Sequence, residues 1–419
     1  MSTRLTLALR VALTAIAVIA VSAFAAGAQG LKHYDSSKPE FWTNPPPDWF
    51  LGDETQEQKG LSPGPPRATP ATAAELDAIL KLIKLPAGFK IEVYAPGLLQ
   101  ARQMAWGDHG TLFVGSFLAG TVYAVVDNGG KKEVKTIIKG LRMATGLAFH
   151  NHALYVTDID KIMKYDNPEA SLDKLPEPTM VNAGIPPFIP HGWKYLAFDK
   201  NGWFYMAQGV PCNICMPPPG TASILHIDPA TGMSEIVALG QRNSVGGDID
   251  PRTGDYWFSE NARDWLGDNS PDDKLEHITR MGEHFGYPYC HAGTIPDPKF
   301  NFGHKCSEFT PPVLLLGAHV APLGMKFYTG DQFPAGYKNN ILLAEHGSWN
   351  RHQFQGARIM RITVDPDGKN AKQVVFASGW LQPGNKYAGR PNDILMAPDG
   401  SILVSDDEAS AIYRISYSK

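Results

Sequence analysis

"DILMAPDGSILVSDDEASAIYRI", residues 393–415, decides the fold. Apolar residues run over 394–397, stop at Pro398-Asp399-Gly400, resume over 402–404, and resume again over 411–415. Short apolar runs broken by a Pro-Asp-Gly turn predict successive antiparallel strands rather than helix. The theme recurs upstream. "MAWGDHGTLFVGSFLAGTVYAVV" starts at Met104, "GLAFHNHALYVTDIDKIMKYD" at Gly146 and "YLAFDKNGWFYMAQG" at Tyr195. "GGDIDPRTGDYWFSEN" starts at Gly246 and "GMKFYTGDQFPAGYKNNILLAEHG" at Gly324. Six self-similar multi-strand units predict an all-β chain folded as a six-bladed β-propeller over residues 88–419. The strand "FKIEVYA", 89–95, has no copy of its own, and pairing it with the final unit would close the ring and remove two exposed edges.

The 419 residues are 43% hydrophobic and 19% charged, with 41 Gly, 34 Pro and a formal charge of -4. That is a globular, turn-rich composition with length for a large core. It is no polycation, so electrostatic capture of nucleic acid is not indicated. Residues 1–28 carry Arg4 and Arg10, a short apolar run and the small residues Ala26-Gly27-Ala28. This is the layout of a cleaved secretory signal, and it predicts a periplasmic or secreted protein with no membrane span after cleavage. Residues 29–87 read as an N-terminal arm ending in one helix: Thr72 and Glu75 form a capping box, Leu76, Ile79, Leu80 and Ile83 share a face, and Pro86 marks the stop.

Export changes the reading of the four cysteines, Cys212, Cys215, Cys290 and Cys306. An even count in an oxidising compartment favours disulfides, with the local pairs Cys212–Cys215 and Cys290–Cys306 expected among three pairings. "CNIC" is followed by Met216, not His, so the haem c attachment motif is absent. A four-cysteine zinc site would need a second close pair.

In a propeller, the loops before each blade's first strand surround one mouth of the central channel. Those loops hold "PHGWK" with His191, "GQRNSV" with Arg242 and Asn243, "GAHVAPL" with His319, and "GRPN" with Arg390 and Asn392. Two arginines, two histidines and two asparagines at equivalent places in successive repeats predict a shared site.

With those residues in place, residues 88–416 resemble the soluble PQQ-dependent sugar dehydrogenases, and within them the sorbosone dehydrogenase group. The stretches that carry the resemblance are "PHGWKYLAFDKNGWFYMAQG", "GQRNSVGGDIDPRTGDYWFSEN", "DDKLEHI", "FGYPYC", "HVAPLGMKFY" and "GRPNDILMAPDGSILVSDD". The resemblance implies a six-bladed propeller holding pyrroloquinoline quinone (PQQ) and calcium in the mouth. It implies that His191 is the catalytic base and that Arg242 and Asn243 touch the quinone. It places the backbone carbonyls of Ala262 and Arg263, in "SENARD", on the calcium, a metal that prefers oxygen ligands. The nearby Asp264, Asp268, Asp272 and Asp273 could add ligands or solvate a surface loop, and the loop is the favoured reading.

Two departures stand out. The glucose-oxidising members have an acid just before the base, where this chain has Pro190. They also have a lysine and an Arg-x-Arg clamp for the cofactor carboxylates; here the regions read "EHGSWNR" and "GRPN", so Arg351 and Arg390 would supply the positive charge. These departures bear on glucose as substrate more than on PQQ. The implied reaction removes a hydroxyl proton and a hydride from a sugar, sorbosone-like aldehyde or alcohol, with a quinone or cytochrome as onward electron acceptor. Two rival readings are a calcium-dependent lactonase, recruiting Glu260 and Asn243, and a non-enzymatic binding propeller using Trp193, Trp265 and Trp349.

Overall fold

Six sheets, five of four antiparallel strands and one of five strands, make up the propeller. The computed structural model describes residues 61, 64–181, 184–186 and 191–418; the proposed signal, most of the arm and Pro190 lie outside them. Blade 1 comprises β2 (Ala101–Trp106), β3 (Leu112–Ser116), β4 (Val122–Asn128) and β5 (Lys131–Ile138). Blade 2 comprises β6 (Leu147–His150), β7 (Ala153–Thr157), β8 (Ile162–Asp166) and β9 (Thr179–Val181). Blade 3 has β10 (Ala197–Phe198), β11 (Phe204–Gln208), β12 (Ser223–Ile227) and β13 (Ser234–Leu239), with β17 (Glu283–His284) added in parallel to β13. Blade 4 has β14 (Gly246–Ile249), β15 (Tyr256–Glu260), β16 (Asp272–His277) and β20 (Leu314–Ala318). Blade 5 has β21 (Pro322–Phe327), β22 (Ile341–Glu345), β23 (Arg358–Thr363) and β24 (Lys372–Ala377).

Blade 6 is built from both ends of the chain. β27 (Pro391–Met396), β28 (Ile402–Asp406) and β29 (Ala411–Tyr417) take β1 (Phe89–Pro96) as their outer strand, with Phe89 opposite Tyr417 and Lys90 opposite Ser416. The unassigned early strand therefore closes the ring, as the sequence predicts.

The strands' near-continuous apolar runs follow from burial on both faces. Leu112 and Val114 of β3 pack toward blade 6 with Leu403 and Ile412, while Phe113 between them packs toward blade 2 with Leu147 and Leu154. Tyr256 and Phe258 of β15 join Ile224 and Ala238 of blade 3, while Trp257 joins Met325 and Leu343 of blade 5. Apolar clusters of this kind fill all six interfaces between neighbouring blades. Burial of such side chains stabilises by about 1.5–3 kcal/mol each. Blades 4 and 5 approach so closely that a Cβ on Gly246 would lie 1.8 Å from the Leu323 carbonyl oxygen.

The arm's helix, α1 (Ala73–Leu82), has the predicted capping box: Thr72 Oγ1 accepts from Glu75 N–H, and the Glu75 carboxylate accepts from Thr72 N–H at 2.7 Å. It ends at Leu82, before Pro86. Leu76 and Ile79 pack into the cluster between blades 5 and 6. Both expected disulfides, Cys212–Cys215 and Cys290–Cys306, are formed. Among the described residues no helix is long and apolar enough to cross a membrane.

Candidate functional site

The blade-entry loops meet around one cavity of about 450 Å³. His191, Arg242, Asn243, Ala262, His319 and Arg390 line it. Arg263, Arg351 and Asn392 do not. Arg263 is turned to Asp297 in a buried ion pair. Arg351 binds the Asp268 carbonyl, Asn269 and the Gln353 carbonyl. Asn392 stands behind the wall, where its amide oxygen, turned toward the guanidinium, accepts from Arg102 Nη1 at 3.0 Å and Nε at 3.1 Å.

His191 and His319 adopt φ of 58° and 59°. Few non-glycine residues take this left-handed conformation, and its recurrence in blade-entry loops supports their equivalence. Gly209 makes room for His191: a Cβ there would sit 2.6 Å from the histidine's own Cβ. His191 is 3% exposed, and its Nδ1 donates to the Val210 carbonyl at 2.7 Å. With the proton held on Nδ1, Nε2 carries the lone pair. Burial, and then the Arg242 charge, keep its pKa well below the ordinary 6.5, so the ring is neutral at pH 7.

All five N–H groups of Arg242 are committed to the protein. Nε donates to the Asn213 carbonyl at 2.8 Å, and Nη1 to the carbonyls of Ala262 (2.8 Å) and Asn261 (3.3 Å). Nη2 donates to Asn213 Oδ1 (2.9 Å) and Asp264 Oδ2 (2.7 Å). The guanidinium therefore offers its charge and its face to the cavity rather than donors. His319 is likewise engaged: Nε2 donates to the Gly267 and Ser270 carbonyls, and Nδ1 accepts from Asn350 at 3.1 Å. It braces the 267–270 loop. Asn243 Oδ1 accepts from Trp193 Nε1 at 2.6 Å and fixes that indole at the cavity wall.

The carboxylates correct the sequence reading. Asp264 and Asp273 are not a solvated loop; they are 7% and 2% exposed and line the cavity. Asp264 pairs with Arg242 and accepts from Asn350 Nδ2. Asp273 accepts from the N–H groups of Ala262 and Ala321, both at 2.8 Å, and burial pushes its pKa up to about 8. Trp265 is also not an exposed binding residue: it is 1% exposed and packs edge-on against Trp349.

Across the cavity, blades 5, 6 and 1 supply residues that the loop pattern did not single out. Arg102 pairs with Asp407 at 2.6 Å, and Asp407 accepts from His346 Nε2 at 2.7 Å. Burial alone would raise Asp407, but Arg102 and His346 hold it below the usual carboxylate range. Burial and Arg390 push His346 down to about 4. Arg390 lies over the Tyr387 ring and donates Nε to the His346 carbonyl and Nη2 to the Gly347 carbonyl. It makes no ion pair among the described residues, and its Nη1 meets no acceptor there. Phe117, Trp193, Trp349, Phe354 and Tyr387 add aromatic lining, and the arm contributes Gly64, Pro65 and Pro66. Among the described residues no group of three or more His, Cys, Asp or Glu is placed to hold a metal. Glu260, which the lactonase reading recruits, does not line the cavity; it pairs with Lys274 at 2.9 Å and accepts from the Arg242 backbone N–H at 2.9 Å.

Fold and cavity define a six-bladed propeller with an arginine- and aromatic-lined cavity at one mouth. Residues 230–418 match the model of a family described as TrAA12-like. The chain is 35% identical over 356 residues to an uncharacterized protein of Borreliella burgdorferi, covering 82% of this chain and 93% of that one, and it belongs to one family with it. A calcium structure of the Trichoderma reesei carbohydrate-active enzyme of family AA12 superposes with a TM-score of 0.69 at 19% identity, covering 84% of this chain and 98% of that one. The holo PQQ domain of Coprinopsis cinerea pyranose dehydrogenase gives 0.65 at 20% identity, covering 80% and 97%. A Coprinopsis cinerea protein named pyrroloquinoline quinone-dependent pyranose dehydrogenase is 30% identical over 122 residues, covering 25% of this chain and 16% of that one.

Proposed function

We propose that this chain is an exported quinoprotein oxidoreductase that oxidises a sugar, sugar aldehyde or alcohol, with PQQ and calcium in the mouth and His191 as base. The observation that carries the reading is a neutral, Nδ1-anchored imidazole sharing one aromatic cavity with three arginines. The leader-like residues 1–28 and the two disulfides support export.

The residues fit PQQ, a flat anionic heterocycle. Trp193 and Trp349 add apolar lining, and Arg390 keeps donors that no described residue accepts. Calcium takes six to eight oxygens. Ala262, Asp264 and Asp273 line the cavity, and the Ala262 carbonyl already accepts from Arg242, while Arg263 does not line it. A calcium ion beside Ala262 would need oxygens beyond that carbonyl, from these carboxylates and from the cofactor, and the two would then bind together.

PQQ in the mouth would supply the hydride acceptor. His191 would receive the substrate's hydroxyl proton at Nε2 as the hydride leaves carbon, yielding the carbonyl product or, from an aldehyde hydrate, the acid. Arg242, fixed by five hydrogen bonds, would hold a positive field where negative charge develops without needing to reorganise. Single-turnover reduction tests the reading: PQQ-loaded protein mixed with an aldose, a sorbosone-like aldehyde and simple alcohols loses the oxidised PQQ absorption band with at least one of them. No bleaching with any of the three classes overturns it.

A further inference from the structure

The sequence presents "CNIC" as a disulfide, and the reaction proposed above gives it no part. The structure places its Asn213 at the centre of the Arg242 network. The Asn213 carbonyl accepts from Arg242 Nε at 2.8 Å. Its Oδ1 accepts from Arg242 Nη2 at 2.9 Å and from the Asp264 N–H at 2.7 Å. Its Nδ2 donates to the Asp264 carbonyl at 3.1 Å. One fully buried side chain thus fixes both members of the Arg242–Asp264 ion pair.

The same short segment serves His191. Val210 N–H donates to the Arg242 carbonyl at 3.1 Å, while the Val210 carbonyl accepts from His191 Nδ1 at 2.7 Å. The segment is held by the Cys212–Cys215 bridge and by Tyr287, whose hydroxyl accepts from Cys215 N–H at 3.0 Å and contacts the Asn213 carbonyl at 3.4 Å. A loop without strand pairing needs such a tether to present three polar atoms in fixed directions, because each free residue would otherwise sample many conformations.

We propose that Asn213, in the ring closed by Cys212 and Cys215, is the positioning residue that sets the Arg242 guanidinium and Asp264, and that residues 210–215 form one platform for both Arg242 and His191. Asn213 acts through Arg242 and is not itself a catalytic residue. The placement is a property of the protein without ligand. Only its consequence for turnover rests on the quinoprotein reading.

The test is hydrogen exchange of arginine Nε–H groups in the full-length protein without cofactor, followed by nitrogen-15 NMR. The Arg242 signal is assigned by its loss in Arg242→Lys. Arg358, whose Nε binds Glu345 in blade 5, is the internal reference. Asn213→Ala is expected to speed Arg242 exchange by about tenfold or more, since three side-chain hydrogen bonds within the network are removed, while Arg358 is unchanged. Cys212→Ser/Cys215→Ser keeps Asn213 but opens the ring and is expected to act in the same direction, which covers the case that Asn213→Ala does not fold. Arg242 exchange at the parental rate in a folded variant of either kind overturns the proposal. Equilibrium dialysis of PQQ with calcium against the same proteins separates the two claims. Parent protein that binds no PQQ contradicts the proposed function, whereas the exchange result decides Asn213 by itself.

Discussion

The two walls of the mouth hold their arginines differently. On the wall from blades 3 and 4, Arg242 is 3% exposed, is paired with Asp264 and has all five donors committed. On the wall from blades 5, 6 and 1, Arg102 is closed off by Asp407 and Asn392, but Arg390 leans on Tyr387 and binds two carbonyls only. A cation with no free donor can stabilise charge that develops beside it and can keep a neighbouring imidazole neutral. A cation with free donors can grip an anion that is already there. Under the proposed function, the first wall would serve the reacting end of a bound pair and the second would hold an anionic group.

Removing the base breaks this division most sharply. His191→Ala is expected to lower single-turnover reduction of bound PQQ by about 10²–10⁴-fold while PQQ retention stays near the parent's. If the parental rate survives, the reacting end is not on that wall. Arg242→Ala leaves Asp264 buried beside no cation, so urea unfolding is expected to show a loss of about 3–5 kcal/mol.

Arg390→Ala should behave in the opposite way. No ion pair is broken among the described residues, so stability is expected to stay within about 1 kcal/mol of the parent, an ordinary hydrogen-bond loss. PQQ affinity in dialysis is expected to fall about 10–100-fold, as for loss of charge-assisted bonds. Equal losses of affinity and stability in the two arginine variants would erase the distinction between the walls.

The smallest effect is in the pH profile. His191 must be neutral to accept a proton, and burial and Arg242 set its pKa well below 6.5. As pH falls from 8, kcat/KM is expected to stay flat through 6.5 and to decline only below it. A decline centred at 6.5 would indicate an ordinary solvated histidine.

The propeller was legible because its signals are local. Short apolar runs, Asp-Gly and Asn-Gly turns and the Thr72–Glu75 box each act within a few residues, and six copies of one theme leave few other architectures. The closing role of 89–95 followed from edge pairing alone. The mouth was legible where residues sat in equivalent entry loops, as His191, Arg242, Asn243, His319 and Arg390 do. It was not legible where a partner is distant in sequence. Arg102 reads as a strand residue until Asp407, from blade 6, is beside it. Asp264 reads as part of an acidic loop until Arg242, Asn213 and Asn350 converge on it. Arg351 shows the reverse: a cation near the mouth in sequence whose donors are taken by the 268–269 loop and by Gln353. Neither periodicity nor spacing encodes which wall a charge will face.

Equilibrium dialysis of PQQ against protein freed of cofactor and metal, with calcium and with excess chelator, tests the central claim most directly. Ala262 lines the cavity, and among the described residues no group of three or more His, Cys, Asp or Glu is placed to hold a metal. Calcium and PQQ should then complete each other's coordination. The account predicts stoichiometric PQQ binding with calcium and little with chelator. Equal binding in the two arms, or no binding in either, would contradict a calcium-anchored quinone in this mouth.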